Sequence, residues 1–234
     1  MRVYFGGHVV ADTTRPLLVW EVPYYPSYYL PLADVEPDVL VPTGDTEHSP
    51  SRGDGVLYTV KVGDAEAPKA AIRYPSSPIE ELRDAVKLDW QAMEAWFEED
   101  EEVFVHPRDP YSRIDILPSS RQIRVEVDGV VLAETTHARV LFETGLPPRW
   151  YIPKVDVRLD LLESTATTSM CPYKGTAEYW SAEVADGRVE DIAWSYRTPL
   201  PESERIASLV CFYAERSDLF IDGEPQDRPK TKFS

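Results

Sequence analysis

The chain reads as a mainly β protein: two tandem copies of one small domain of antiparallel strands, with one helix per repeat. Three observations predict this: an internal repeat, apolar alternation around glycine-bearing turns, and apolar residues at helical spacing near the end of each copy. The repeat is the strongest of the three. Shifted by 122 residues, 2–74 aligns with 124–196 without a gap, and 23 of the 73 positions are identical. Unrelated segments of ordinary composition agree at roughly one position in 16, or about 5 over such a length. The identities include Gly7 with Gly129, Glu21 with Glu143, Tyr29-x-Pro31 with Tyr151-x-Pro153, and Tyr74 with Tyr196. Beyond Tyr74 a further shift of six lays Trp96-Phe97 on Phe212-Tyr213. The expected layout is a first repeat at 1–105, a linker at 106–120, a second repeat at 121–224 and a disordered tail at 225–234.

Each copy opens on a hairpin, Val3 and Phe5 turning at Gly6-Gly7 into Val9 and Ala11, and Val125 and Val127 turning at Asp128-Gly129 into Val131 and Ala133. Strands follow at Leu17–Glu21 and Arg139–Glu143, then at Tyr28–Pro31 and Trp150–Pro153. Later strands fit Gly55–Val62 and Ala70–Tyr74 in one copy, and Ala177–Val184 and Asp191–Tyr196 in the other. Ser77-Pro78 reads as a helix start, with Ile79, Leu82, Val86, Trp90, Met93 and Trp96 at helical spacing after it. A shorter helix is expected from near Pro199, with Ile206, Leu209, Val210 and Tyr213 on its apolar face. Such a helix would cover the apolar side of each sheet. In the Pro-rich join, Ile114 to Leu117 has room for one short strand.

The formal net charge is −17, from 41 acidic and 24 basic residues. A surface so acidic repels phosphate backbones and anionic membrane faces, which argues against nucleic acid and membranes as partners. No apolar run approaches the roughly 20 residues that span a bilayer, and the first residues do not read as a signal peptide. Two cysteines, Cys171 and Cys211, make no disulfide framework. A soluble cytoplasmic protein is expected. The four histidines show no metal-ligand spacing, and neither a metal nor a cofactor is expected.

Several motifs then occur in order: Leu141-Phe142-Glu143-Thr144-Gly145-Leu146-Pro147-Pro148, Tyr151-Ile152-Pro153, Cys171-Pro172-Tyr173-Lys174-Gly175 and Ala193-Trp194-Ser195-Tyr196. In these the chain resembles a bacterial domain family catalogued only as a domain of unknown function, number 427 in that series. The resemblance covers both halves, about 100 residues each by the motif spacing, and the second half carries the fuller set. It implies a fold of the β-tent or Mss4-like group, in which small, strongly bent antiparallel sheets meet at an angle. Many relatives of that fold hold a structural zinc with paired Cys-x-x-Cys motifs, which this chain lacks. A nucleotidyltransferase label attached to the family finds no Gly-Ser plus paired-Asp pattern here.

Chemistry concentrates at Cys171-Pro172-Tyr173-Lys174-Gly175, where Pro and Gly mark a turn and a lysine stands near a thiol. The first copy has Ser49-Pro50-Ser51-Arg52-Gly53 there, which keeps the turn and a cation and loses the thiol. That favours structure or anion binding in copy one. Family members often place His before the Cys; here His48 and Met170 share that slot, so each copy holds only part of the pair. Aromatics crowd both copies, among them Tyr24, Tyr28 and Tyr29 in the first, and they fill β cores as readily as they line pockets. A binding site would be formed by Glu143, Arg149, Tyr151, Tyr173, Lys174, Trp194 and Tyr196 in the second copy. Its counterpart would be Glu21, Tyr29, His48, Arg52 and Tyr74 in the first.

Three functional readings follow. One is a non-catalytic module that binds a small molecule or peptide, its repeats packed as an intramolecular pseudo-dimer. Another is an enzyme with Cys171 and Lys174 as catalytic candidates. A purely structural interaction protein is a third.

Overall fold

The computed structural model describes residues 1–23, 25–184 and 187–231; Tyr24 lies outside them. The chain divides into two compact units, Met1–Asp109 and Pro110–Ser234. In the first, β1 (Arg2–Phe5) and β2 (His8–Asp12) form the opening hairpin, and β3 (Leu17–Val22) pairs with β4 (Tyr25–Pro31). A meander follows of β5 (Leu40–Ser49), β6 (Gly53–Val62) and β7 (Ala65–Arg73), and then β8 (Ala85–Leu88), β9 (Ala95–Glu98) and β10 (Glu101–Glu102). These build a sheet of order β10-β9-β1-β2 and a larger one of order β3-β4-β8-β7-β6-β5.

The second unit begins with β11 (Ile114–Pro118) and the hairpin β12 (Ile123–Val127) and β13 (Val130–Thr135). Next come β14 (Arg139–Glu143), β15 (Arg149–Ile152), β16 (Leu162–Cys171), β17 (Gly175–Val184) and β18 (Gly187–Tyr196). The last strands are β19 (Val210–Phe212), β20 (Asp218–Ile221) and β21 (Glu224–Pro225). The sheets run β13-β12-β20-β21 and β11-β14-β15-β19-β18-β17-β16.

The two units repeat each other in register as well as in order. Leu17 faces Tyr29 and Arg139 faces Tyr151; Leu40 faces Val60 and Leu162 faces Ala182. Bulges recur at the same places, between Val3 and Tyr4 and between Val125 and Glu126, then between Pro42 and Thr46 and between Ser164 and Thr168. A bulge shifts every later side chain to the other face, so its position in the chain is tightly constrained. Thr13 Oγ1 donates to Asp34 at 2.6 Å and Thr135 Oγ1 to Asp156 at 2.7 Å. The sheet cores coincide too: Val10, Ala11, Leu30, Val60 and Val86 in one unit, Leu132, Ala133, Ile152, Ala182 and Val210 in the other.

The expected helices do not form. Val86 and Leu88 are both buried and stand two residues apart, the strand period, in β8 between β4 and β7. Trp96 is buried from β9. Only 3-10 turns occupy the helix starts, Glu80–Leu82 and Pro201–Ile206, and each tucks one apolar side chain inward, Leu82 and Ile206. A slot with hydrogen-bonding partners on both sides outweighs local helical spacing. The correspondence beyond Tyr74 changes accordingly. Val3 faces Trp96 on β9 and Val125 faces Leu219 on β20, so Trp96-Phe97 matches Leu219-Phe220 and not Phe212-Tyr213.

The short strand expected in the join forms: Ile114–Pro118 pairs along the whole of β14 and extends the second sheet. One further expectation changes. The tail from 225 to 231 is bound to the second unit: β21 pairs with β20, Arg228 bonds Asp218, and Thr231 Oγ1 donates to Glu215 at 2.6 Å. Strands β5 and β16 were not anticipated, because as sheet edges they are mostly exposed and polar.

Candidate functional site

Each unit has a second, smaller core beside the sheet core: Tyr29, Tyr74, Leu82 and Ala85 in the first, and Tyr151, Trp194, Tyr196 and Ile206 with their neighbours in the second. The candidate residues meet here. The turn from β5 to β6 ends on Gly53 with φ of 86°, and that from β16 to β17 on Gly175 with φ of 91°. This left-handed backbone suits glycine, and it sets Arg52 and Lys174 at the head of the following strand. Strands β3 and β14 bring Glu21 and Glu143, β4 and β15 bring Tyr29 and Tyr151, and the ends of β7 and β18 bring Tyr74 and Tyr196.

In the first unit four of the five expected residues converge. Tyr29 OH donates to Glu21 Oε1 at 2.5 Å, and Arg52 Nη1 lies 3.6 Å from the same oxygen. The Arg52 guanidinium stands 5.3 Å over the Tyr74 ring, and the Tyr29 and Tyr74 rings are 6.5 Å apart. Close approach of Tyr74 requires Gly55, where a Cβ would lie 2.8 Å from the Tyr74 ring and 2.5 Å from Ile72. Lys87, a fifth member absent from the expected set, donates from Nζ to Glu21 Oε2 at 2.5 Å. His48 stays apart, exposed and bonded to Asp54 at 2.7 Å.

Burial raises the Glu21 carboxyl, but the bonds from Lys87 and Tyr29 outweigh it and hold it below the ordinary value. Burial, and then the Glu21 carboxylate, push the Tyr29 phenol upward. Glu21 is therefore an ionised acceptor and Tyr29 a neutral donor. The Glu21, Arg52 and Lys87 side chains are 15%, 18% and 31% exposed, and the buried Arg52 Nε has no hydrogen-bond partner among the described residues.

The second unit closes the same place. Lys174 Nζ donates to Glu143 Oε2 at 2.5 Å, with both side chains about nine-tenths buried. Tyr151 OH accepts from Trp194 Nε1 at 3.2 Å. The expected aromatic pocket is a packed core, in which Tyr151, Trp194 and Tyr196 are all buried and Ile116 from β11 packs among them. Arg149 turns to Glu215, its two terminal nitrogens donating to the two carboxylate oxygens at 2.7 Å each. Burial raises Glu215, but Arg149 and then Thr231 outweigh it and hold it at about 2. The side chains are 7% and 0% exposed, so this is a buried bidentate pair.

The first strand register identifies what replaced Lys87. Leu30 faces Val86 and Ile152 faces Val210, so Lys87 corresponds to Cys211. That thiol is buried, and burial pushes it up to about 12. Cys171, the candidate nucleophile, is half-buried at the end of β16. Tyr173 is half-buried in the turn, its carbonyl accepting from Ser203 Oγ at 3.1 Å. Among the described residues no group of three side chains is placed to hold a metal ion, and no helix is long and apolar enough to cross a membrane.

Sequence reasoning missed Lys87, Cys211 and Glu215. Ala85-Val86-Lys87-Leu88 alternates as a strand does, and reading it so puts Lys87 on the face opposite Val86 and Leu88.

Fold and site together define a duplicated all-β protein in which one polar cluster stands twice, open in one copy and closed in the other. The family model for a domain of unknown function, DUF427, matches residues 1–99 and again 115–223, and the chain belongs to that family as a tandem two-copy member. No curated protein matches it.

Proposed function

We propose that the chain is a non-catalytic binding protein whose first unit holds the ligand, a small molecule with a carboxylate, at Glu21, Tyr29, Arg52, Tyr74 and Lys87. The carrying observation is the charge at that cluster: two cations face one carboxylate in a partly open place. A ligand carboxylate would balance the charge and accept from Lys87 and Arg52, with the buried Tyr29 and Tyr74 holding Glu21 and Arg52 from beneath. The alternative, an enzyme centred on Cys171, needs Lys174 to activate the thiol. The Lys174 ammonium is already engaged by Glu143, and among the described residues Cys171 has no histidine partner to act as base. Membership of a domain-of-unknown-function family supplies no function by itself.

Calorimetric titration of the full chain with acetate, succinate and benzoate tests the proposal. Binding of at least one acid is expected, with a rise in apparent stability, and loss of that binding in the Arg52→Ala, Lys87→Ala double variant with its β circular dichroism intact. Absence of binding, or binding untouched by the double variant, counts against it.

A further inference from the structure

The second unit has an open groove of about 630 Å³, lined by none of the residues of the first unit's cluster. Its walls come from the end of β11, the turn from β13 to β14, the start of β14, and the segment between β18 and β19. Three basic side chains line it, His137, Arg139 and Arg205, and no carboxylate does. In a chain of net charge −17, a concave surface lined by two arginines and no carboxylate is a local reversal of sign.

The donors there are largely unspent. The Arg139 side chain makes no hydrogen bond or ion pair among the described residues. Arg205 gives one N–H to the Ile116 carbonyl at 3.1 Å and keeps the rest of its fork. Ser119, Ser120 and Thr136 add hydroxyls; Ser119 Oγ already accepts the Arg121 N–H at 3.3 Å, which leaves its O–H to donate, and Thr136 Oγ1 lies 3.5 Å from His137 Nδ1. Two guanidinium forks and three hydroxyls offer more donors than one carboxylate can accept, and they suit the three terminal oxygens of a phosphate group. Pro118, Pro153 and Leu209 supply an apolar flank. The volume is that of a small-molecule site.

The duplication serves as an internal control. At the places of His137, Arg139 and Arg205 the first copy has Arg15, Leu17 and Glu81, and Arg15 is paired with Asp34 at 3.4 Å. The shared fold therefore does not require the cations at Arg139 and Arg205. The β11 wall likewise belongs to the second unit's sheet alone.

We propose that this groove is a binding site for a small phosphate monoester with an apolar body, separate from the carboxylate site of the first unit. Titration of the full chain with phenyl phosphate tests it, with inorganic phosphate, benzoate and phosphatidic-acid vesicles as the comparison arms. In the Arg52→Ala, Lys87→Ala double variant, phenyl phosphate is expected to bind at least tenfold more tightly than inorganic phosphate or benzoate. The substitution Arg139→Leu, which installs the first copy's residue, should weaken it at least tenfold without changing the unfolding temperature of the free protein. Arg139→Gln serves the same purpose if the leucine variant does not fold. The Arg52→Ala, Lys87→Ala double variant should bind phenyl phosphate as the parent does, which separates this site from the one proposed for the first unit. Failure of phenyl phosphate to bind, equal binding of benzoate by the Arg52→Ala, Lys87→Ala double variant, or indifference to both Arg139 substitutions overturns the proposal. Sedimentation of the chain with the vesicles overturns the assignment to a small soluble ester.

Discussion

Glu21 and Glu143 stand at one position of a common fold and have different surroundings. In the first unit Lys87 and Arg52 face Glu21 and leave one positive charge over, in side chains that still reach water. In the second, Lys174 meets Glu143, Arg149 meets Glu215, and the charges cancel inside a core. Three exchanges make the difference. Ser27 becomes Arg149, Lys87 becomes Cys211, and β11 lays Ile116 against the cluster, where the first sheet ends at β3 among the described residues. A shared backbone thus fixes where polar groups gather and leaves open whether they act as a site or as structure. A few substitutions and one added edge strand decide that.

The sharpest way to break this comparison is to remove one negative charge from each copy. Glu215→Gln leaves Arg149 buried without its counter-charge, and a cost of about 3–5 kcal/mol to the second unit is expected. Glu21→Gln frees Lys87 and Arg52, which can turn to water, and should cost the first unit only about 1 kcal/mol. Urea unfolding followed separately for each unit measures both, and equal costs would erase the distinction drawn between open and closed copies. The pH dependence has a definite sign. A carboxyl depressed in the folded state binds fewer protons there than in the unfolded chain, so its contribution is complete above the unfolded value and is lost as pH falls. For Glu215 that loss should run from the ordinary 4.5 down to about 2, and the Gln variant should lack it.

A smaller effect separates the two copies at the floor of the cluster. Gly55 lies where Ile72 and Tyr74 approach the backbone, and the second copy has the fully buried Ala177 at that position. Gly55→Ala should therefore destabilise the first unit by about 1–3 kcal/mol through overpacking, although alanine is the residue its twin uses. A thermal scan in which Gly55→Ala matches or exceeds the parent would mean that the Tyr74 packing is looser than the 2.8 Å clearance implies.

Much of this was legible in the sequence, for physical reasons that differ by element. The hairpins at Gly6-Gly7 and Asp128-Gly129 were readable because alternation and turn chemistry are local. The repeat fixed the pairing of Glu21 with Glu143 and of Arg52 with Lys174, and so named most of the cluster. The stretch from Ile79 to Phe97 was misread because its apolar spacing fits a helix as well as two short strands, and only the vacancy between β4 and β7 decides between them. Lys87 was lost with that misreading. Glu215 could not be found by sequence spacing, since it meets Arg149 across 66 residues in a segment with no marked pattern.

The smallest expected effect concerns His48, which shares its slot with Met170 and was the one first-copy candidate to stay outside the cluster. Its ring is 69% exposed and its Asp54 partner 80% exposed, so the pair is well hydrated and screened. His48→Ala should change stability by no more than about 0.5 kcal/mol, and it should leave any carboxylate binding at Arg52 and Lys87 intact. A titration in which that substitution abolished binding would extend the ligand's reach from the buried cluster to the exposed β5–β6 edge. The contrast between an open first copy and a closed second would then rest on the turns as well as on Lys87 and Cys211.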